Sequence, residues 1–136
     1  MISIIIPTFN EEDAIIPTIR QVMLHDSAKL ITEIIIADGG SSDNTVANAT
    51  AIATAVLKCP VKGRANQMNF GAEKAKGDIL YFLHADTIPP AGFTTSIKDA
   101  ISNNKLAGCF MLSFNYKHWF LQANCWFTRF DINAFR

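Results

Sequence analysis

Three short polar clusters hold the side chains of this 136-residue chain with the most chemistry in them. Pro7-Thr8-Phe9-Asn10-Glu11 joins an aromatic ring to amide, hydroxyl and carboxylate groups. Asp38-Gly39-Gly40-Ser41-Ser42-Asp43 sets a carboxylate beside glycine backbone, and His84-Ala85-Asp86 places an imidazole two residues from an acid. Each cluster follows an apolar run, at residues 2–6, 34–37 and 79–83. Such runs read as parallel strands buried on both faces. In open parallel sheets ligands bind in the crevice outside the carboxyl ends of the strands. The three clusters therefore predict a single site.

Asp38 is a candidate acceptor for a ribose hydroxyl or a base N–H, because the following glycines let a ligand approach the backbone closely. The same residues also make an ordinary turn, with Ser42 or Asp43 capping the next helix. If the strand runs on through His84 and Asp86, both side chains share one face and can share a divalent cation. Mg²⁺ takes one or two carboxylates plus substrate phosphates, and an imidazole nitrogen tilts the choice toward Mn²⁺. The competing reading makes His84 a polar strand end and Asp86 a turn cap. Arg64, ahead of a predicted helix, suits a diphosphate or simple solvation. Asn10 and Glu11 fit either a ligand loop or the start of a helix, Asn10 as its cap. The second loop is not a P-loop, since no Gly-Lys-Ser/Thr follows, nor an EF-hand.

Strands and helices alternate, which predicts an α/β fold with a mainly parallel sheet. Helices are expected from between Asp13 and Pro17 to His25, after Thr45, over residues 65–76 and over 93–103. Strands are expected at 2–6, 31–37, 53–57, 79–83 and 107–114. In the last segment Trp119, Phe120, Ala123, Trp126, Phe127 and Phe130 recur at helical spacing, which predicts a helix packed on the sheet. No repeat or linker interrupts the chain, so residues 1–136 read as one domain.

Twelve basic residues balance twelve acidic ones, without the basic excess of a nucleic-acid binder. An anionic ligand must then be met by a few placed groups. Cys59, Cys109 and Cys125 are odd in number and form no CxxC pair, which fits buried thiols in a reducing compartment. No secretory leader is recognisable, and no apolar run reaches the ~20 residues that span a bilayer. The expected location is cytoplasmic, or peripheral at the inner face of the membrane.

The string Ile-Ile-Pro-Thr-Phe-Asn-Glu-Glu followed by Ile-Ile-Ala-Asp-Gly-Gly-Ser-Ser-Asp-Asn-Thr resembles the family 2 glycosyltransferases of the GT-A fold. Gly63-Arg64, Asn69-Phe70-Gly71-Ala72 and Ala75-Lys76-Gly77-Asp78 continue the likeness. His84-Ala85-Asp86-Thr87 falls at that family's Asp-X-Asp metal motif, in a form similar to a subgroup of small bacterial glycosyltransferases. The resemblance covers about residues 1–114. It implies a Rossmann-like nucleotide-diphospho-sugar binding fold with helices on both faces of the sheet. It further implies an inverting transfer from a nucleotide-diphospho-sugar, UDP-sugar favoured, to an acceptor hydroxyl. By position, Pro7, Thr8, Phe9, Asn10 and Glu11 would hold the nucleoside. Asp38 would meet the base or ribose, Arg64 the diphosphate, and Asp86 with His84 a divalent cation, Mn²⁺ or Mg²⁺.

Two departures stand out. His84 replaces the first acid of the metal motif. No residue matches the general base of the acceptor half, since Asp99 lies in a predicted surface helix and Asp131 outside any matching context. The chain is therefore expected to be a donor-binding half that ends early, with its aromatic C-terminal helix open to self-association. The missing base also suits a non-catalytic nucleotide-binding module. A nucleotidyltransferase ranks last, because residues 7–11 lack the glycine-rich basic loop it needs.

Overall fold

The computed structural model describes residues 1–110. Its elements run β1 (Ile2–Thr8), α1 (Ile15–His25), β2 (Ile31–Asp38), α2 (Thr45–Thr50), β3 (Ala55–Lys58), α3 (Arg64–Lys74), β4 (Ile79–Phe82) and α4 (Phe93–Ser102). The four strands form one sheet in the order β3-β2-β1-β4, and all pairs are parallel. The chain builds outward from β1 to β3 and then returns to the other side of β1. Such a reversal opens a crevice beside the first strand.

Every residue of β1 is buried, as expected of a central strand covered on both faces. Right-handed crossovers place α1 and α2 on one face and α3 on the other. α1 packs on α2, and α3 packs on β1 and β2. Gly71 permits the close approach of α3: a Cβ there would stand 2.6 Å from Ile5 Cγ2. Ile15, Ile19 and Val22 bury the inner stripe of α1. Met23, next to Val22 in sequence, is about half exposed.

The amino ends of the strands are tied by a buried polar network. Ser3 Oγ donates to Glu33 Oε1 at 2.6 Å, and Gly77 N–H donates to Ser3 Oγ at 2.8 Å. Glu33 Oε1 also accepts the Lys76 N–H. Burial pushes the Glu33 carboxyl up. The Ser3 hydroxyl, the Lys76 N–H and charge and the Gly77 N–H outweigh it, holding the group below its ordinary value. This network explains why α3 stops at Lys74 instead of Lys76. Ala75 turns extended, with φ −68° and ψ 145°, so that the next N–H groups reach Ser3 and Glu33.

The expected strand at 107–114 is not seen where it can be checked, because residues 107–110 are irregular and largely exposed. Its remainder, and the aromatic helix expected at 117–136, lie outside the described residues. β1–β4 and α1–α4 all belong to one compact unit, Met1–Ser102. No described helix is long and apolar enough to cross a membrane.

Candidate functional site

The loops after β1 and β2 are laced together. Asn10 N–H donates to Ser41 Oγ and Ser42 N–H to Asn10 Oδ1, both at 2.9 Å. Glu11 N–H donates to Thr45 Oγ1 at 2.7 Å, and the Asn44 N–H and side-chain amide both reach Glu12 Oε2 at 2.9 Å. Asn10 is therefore not the cap of α1, as one sequence reading had it. That cap position is Ala14, without a side-chain bond, because the Asn10 side chain is engaged by the second loop. The α2 cap position is likewise Asn44, without a cap bond. Asp43 just before it accepts the Thr45 N–H at 3.0 Å.

Asp38 is 2% exposed. Its Oδ2 accepts the N–H groups of Gly40 and Ser41 at 2.8 and 3.0 Å. Its Oδ1 accepts the hydroxyls of Ser41 and, at 3.3 Å, Thr8. A carboxylate has about four lone-pair sites, and here each has a donor from the protein. Gly40, at φ 92°, supplies the left-handed backbone that folds this turn. Asp38 thus shapes its own loop, as the turn reading expects.

Beside these loops lies an open cleft of about 390 Å³ lined by Pro7, Thr8, Phe9, Glu11, Gly39, Lys62, Gly63, Arg64 and Gln67. Phe9 is 51% exposed, an aromatic face offered to solvent. The Lys62 ammonium stands 5.4 Å from its centroid, within cation–π range. Arg64 is the first residue of α3, so the cleft receives a helix N-terminus and two cations, a setting that favours anions. Beneath them Gln67 Nε2 donates to the carbonyls of Thr8 and Ala37 at 2.7 and 2.8 Å.

Pro7, Thr8, Phe9, Glu11 and Arg64 are thus brought together, while Asn10, Asp38, His84 and Asp86 are not part of this lining. β4 ends at Phe82, so the strand does not continue through His84 and Asp86. His84 instead opens a turn in which its carbonyl accepts the Thr87 N–H at 3.1 Å. The turn is fixed by the Thr18 hydroxyl donating to the Ala85 carbonyl at 2.6 Å. Ala85 is buried, and His84 and Asp86 on either side are exposed. Among the described residues no three His, Cys, Asp or Glu cluster to hold a metal by themselves. One carboxylate and one imidazole still suit a divalent cation that takes its other ligands from phosphate and water.

Sequence reasoning missed Gln67 and gave Lys62 no role. Gln67 had one available signal: it sits four residues before Gly71, on the helix face that meets the sheet.

A four-stranded parallel sheet with an anion-favouring cleft at its carboxyl edge defines an α/β fold of the nucleotide-binding class. Residues 3–131 match the model of glycosyl transferase family 2, and the chain belongs to that family. An uncharacterized glycosyltransferase of Mycobacterium tuberculosis is 34% identical over 87 residues, 62% of this chain and 33% of that protein. The glucosyl-3-phosphoglycerate synthase of M. tuberculosis, in complex with Mn²⁺, uridine-diphosphate and glucosyl-3-phosphoglycerate, superposes with a TM-score of 0.62. It is 25% identical and covers 74% of this chain and 39% of its own. A Pyrobaculum calidifontis mannosyltransferase in complex with GDP-Man and Mn²⁺ shares the fold with a TM-score of 0.61, 23% identity and coverage of 70% and 30%. The chain spans about a third of the length of the curated relatives it matches.

Proposed function

We propose that this chain forms the donor-binding part of a glycosyltransferase that moves a sugar, with inversion, from a nucleotide-diphospho-sugar to an acceptor hydroxyl. The observation that carries this reading is the cleft: an exposed aromatic face, two cations and a helix N-terminus at the carboxyl edge of a parallel sheet. Phe9 lies against the base, Pro7, Thr8 and Glu11 form the wall around the nucleoside, and Arg64 with Lys62 meets the diphosphate. Asn10 joins the two loops, and Asp38, held at the end of β2, meets the base or ribose.

Asp86, with His84, would hold the divalent cation, Mn²⁺ before Mg²⁺, and that cation supplies positive charge for the departing diphosphate. The acceptor oxygen attacks the anomeric carbon as the bond to the diphosphate breaks and its electron pair leaves with the nucleoside diphosphate. The hydroxyl proton passes to a base, a role no described carboxylate is assigned. The donor is a UDP-sugar in preference to other nucleotides, as the uridine-diphosphate complex of the synthase suggests. Action in the cytoplasm is part of the same reading.

The test is thermal unfolding with UDP, GDP, CDP and ADP, each with and without Mn²⁺. A nucleotide at ~100 times its dissociation constant adds roughly 2.7 kcal/mol to the native state. Metal-dependent stabilisation by UDP is expected. No shift with any nucleotide would sink the proposal.

A further inference from the structure

The segment that carries Asp86 is moored to α1 at two places. Thr18 donates its hydroxyl to the Ala85 carbonyl at 2.6 Å. At the last residue of the helix, His25 Nδ1 meets the Pro89 carbonyl at 2.7 Å, and the Gly92 N–H donates to the His25 carbonyl at 3.3 Å. The sheet holds the near end, where the Leu83 N–H donates to the Ile5 carbonyl at 3.0 Å. A threonine inside a helix can turn its hydroxyl back onto a carbonyl of the preceding turn. Thr18, 3% exposed, instead reaches a residue 67 positions away.

The Asp86 carboxylate has no comparable support. Among the described residues its hydrogen bond comes from the neighbouring Thr87 hydroxyl at 3.4 Å, too long to hold a carboxylate in place. Its placement must come from the backbone. The Ala85 carbonyl belongs to the planar peptide unit that ends at the Asp86 Cα. Fixing that oxygen fixes the plane from which Asp86 springs. The Ala85 side chain is buried as well, so drawing Ala85 inward leaves His84 and Asp86 facing out on either side of it.

We infer that Thr18 is a positioning residue of the cation site, its hydroxyl setting the Ala85–Asp86 peptide so that Asp86 and His84 stand ready for a divalent cation. The inference rests on the proposed assignment of Asp86 to that cation. Partners that orient metal ligands contribute strongly to affinity, because without them the cation must order its own ligands.

The test is titration of the whole chain with Mn²⁺ in the presence of UDP, free Mn²⁺ being read from its electron paramagnetic resonance signal. Thr18→Val keeps the shape of the side chain and removes the donor. It is expected to weaken Mn²⁺ binding about tenfold or more. Thr18→Ser restores the donor and should bind within about threefold of the unmutated chain. Ser3→Ala loses a buried hydrogen bond at the opposite end of the strands, so it controls for stability alone and should leave Mn²⁺ affinity within about twofold. Unchanged affinity in Thr18→Val, no rescue by serine, or an equal loss in Ser3→Ala overturns the inference. If Asp86→Ala still abolishes binding in that case, the donor site stands. Mn²⁺ binding that is absent from the unmutated chain, or insensitive to Asp86→Ala, removes both. Should Thr18→Val fail to fold, Thr18→Ala, which sets no methyl against the carbonyl, decides by the same criterion.

Discussion

Ser42 donates its N–H to Asn10 Oδ1 at 2.9 Å, joining the first two loops of the site through one side chain. Asn10 makes this contact from a left-handed backbone at φ 55°, which asparagine tolerates better than most residues. Asn10→Ala loses the acceptor and strains the backbone, and is expected to cost about 1–3 kcal/mol. Asn10→Gly keeps the conformation and should recover part of that loss in urea unfolding. If glycine recovers nothing, the strain argument is wrong.

Gly71→Ala drives a Cβ into Ile5 Cγ2. Overpacking of this kind costs about 1–3 kcal/mol. Ile5→Ala removes the atom struck, so the double variant should be more stable than the sum of the two single losses predicts. Additive losses in denaturant titration would mean that α3 simply moves away.

Glu33 titrates below its ordinary value in the folded chain, so the unfolded chain binds the proton more readily. The stabilisation is complete above the unfolded pKa of roughly 4.3 and is lost as pH falls through the lower folded value. Glu33→Gln should flatten the acid limb of a stability–pH curve while lowering stability at pH 7. An acid limb as steep as that of the unmutated chain would remove Glu33 as its cause.

Asp86→Ala should weaken Mn²⁺-dependent nucleotide binding at least about tenfold, as expected for loss of the only carboxylate assigned to the cation. Asp99→Ala, on α4, should leave that binding within about twofold. Equal effects in titrations with UDP would argue against Asp86 as the metal ligand.

Much of the framework was legible because the strands carry dense clusters of isoleucine. Residues 2–6 and 31–37 were expected as strands, and both appear, the first wholly buried and the second buried from Glu33 on. The crowding of Pro7, Thr8, Phe9, Glu11 and Arg64 followed from that sheet. What could not be read depended on partners distant in sequence. The burial of Glu33 depends on Ser3 and Lys76, 30 and 43 residues away in sequence. Gln67 drew no attention in the sequence, although two carbonyls from different strands claim its amide. The shared face of His84 and Asp86 was argued from strand alternation, which ends at Phe82. Their common exposure comes instead from a turn pinned beneath by Thr18.

α3 is held at both ends by different chemistry. Near its start Gln67 grips the carboxyl ends of β1 and β2, and just past its finish the Lys76 and Gly77 N–H groups are held at the amino ends of the same two strands. A strut fastened this way can neither slide along the sheet nor pivot on it. These two anchors together set where the α3 N-terminus stands at the cleft. The exposed side chains of Lys62 and Arg64 at that end line the cleft in front of this fixed backbone.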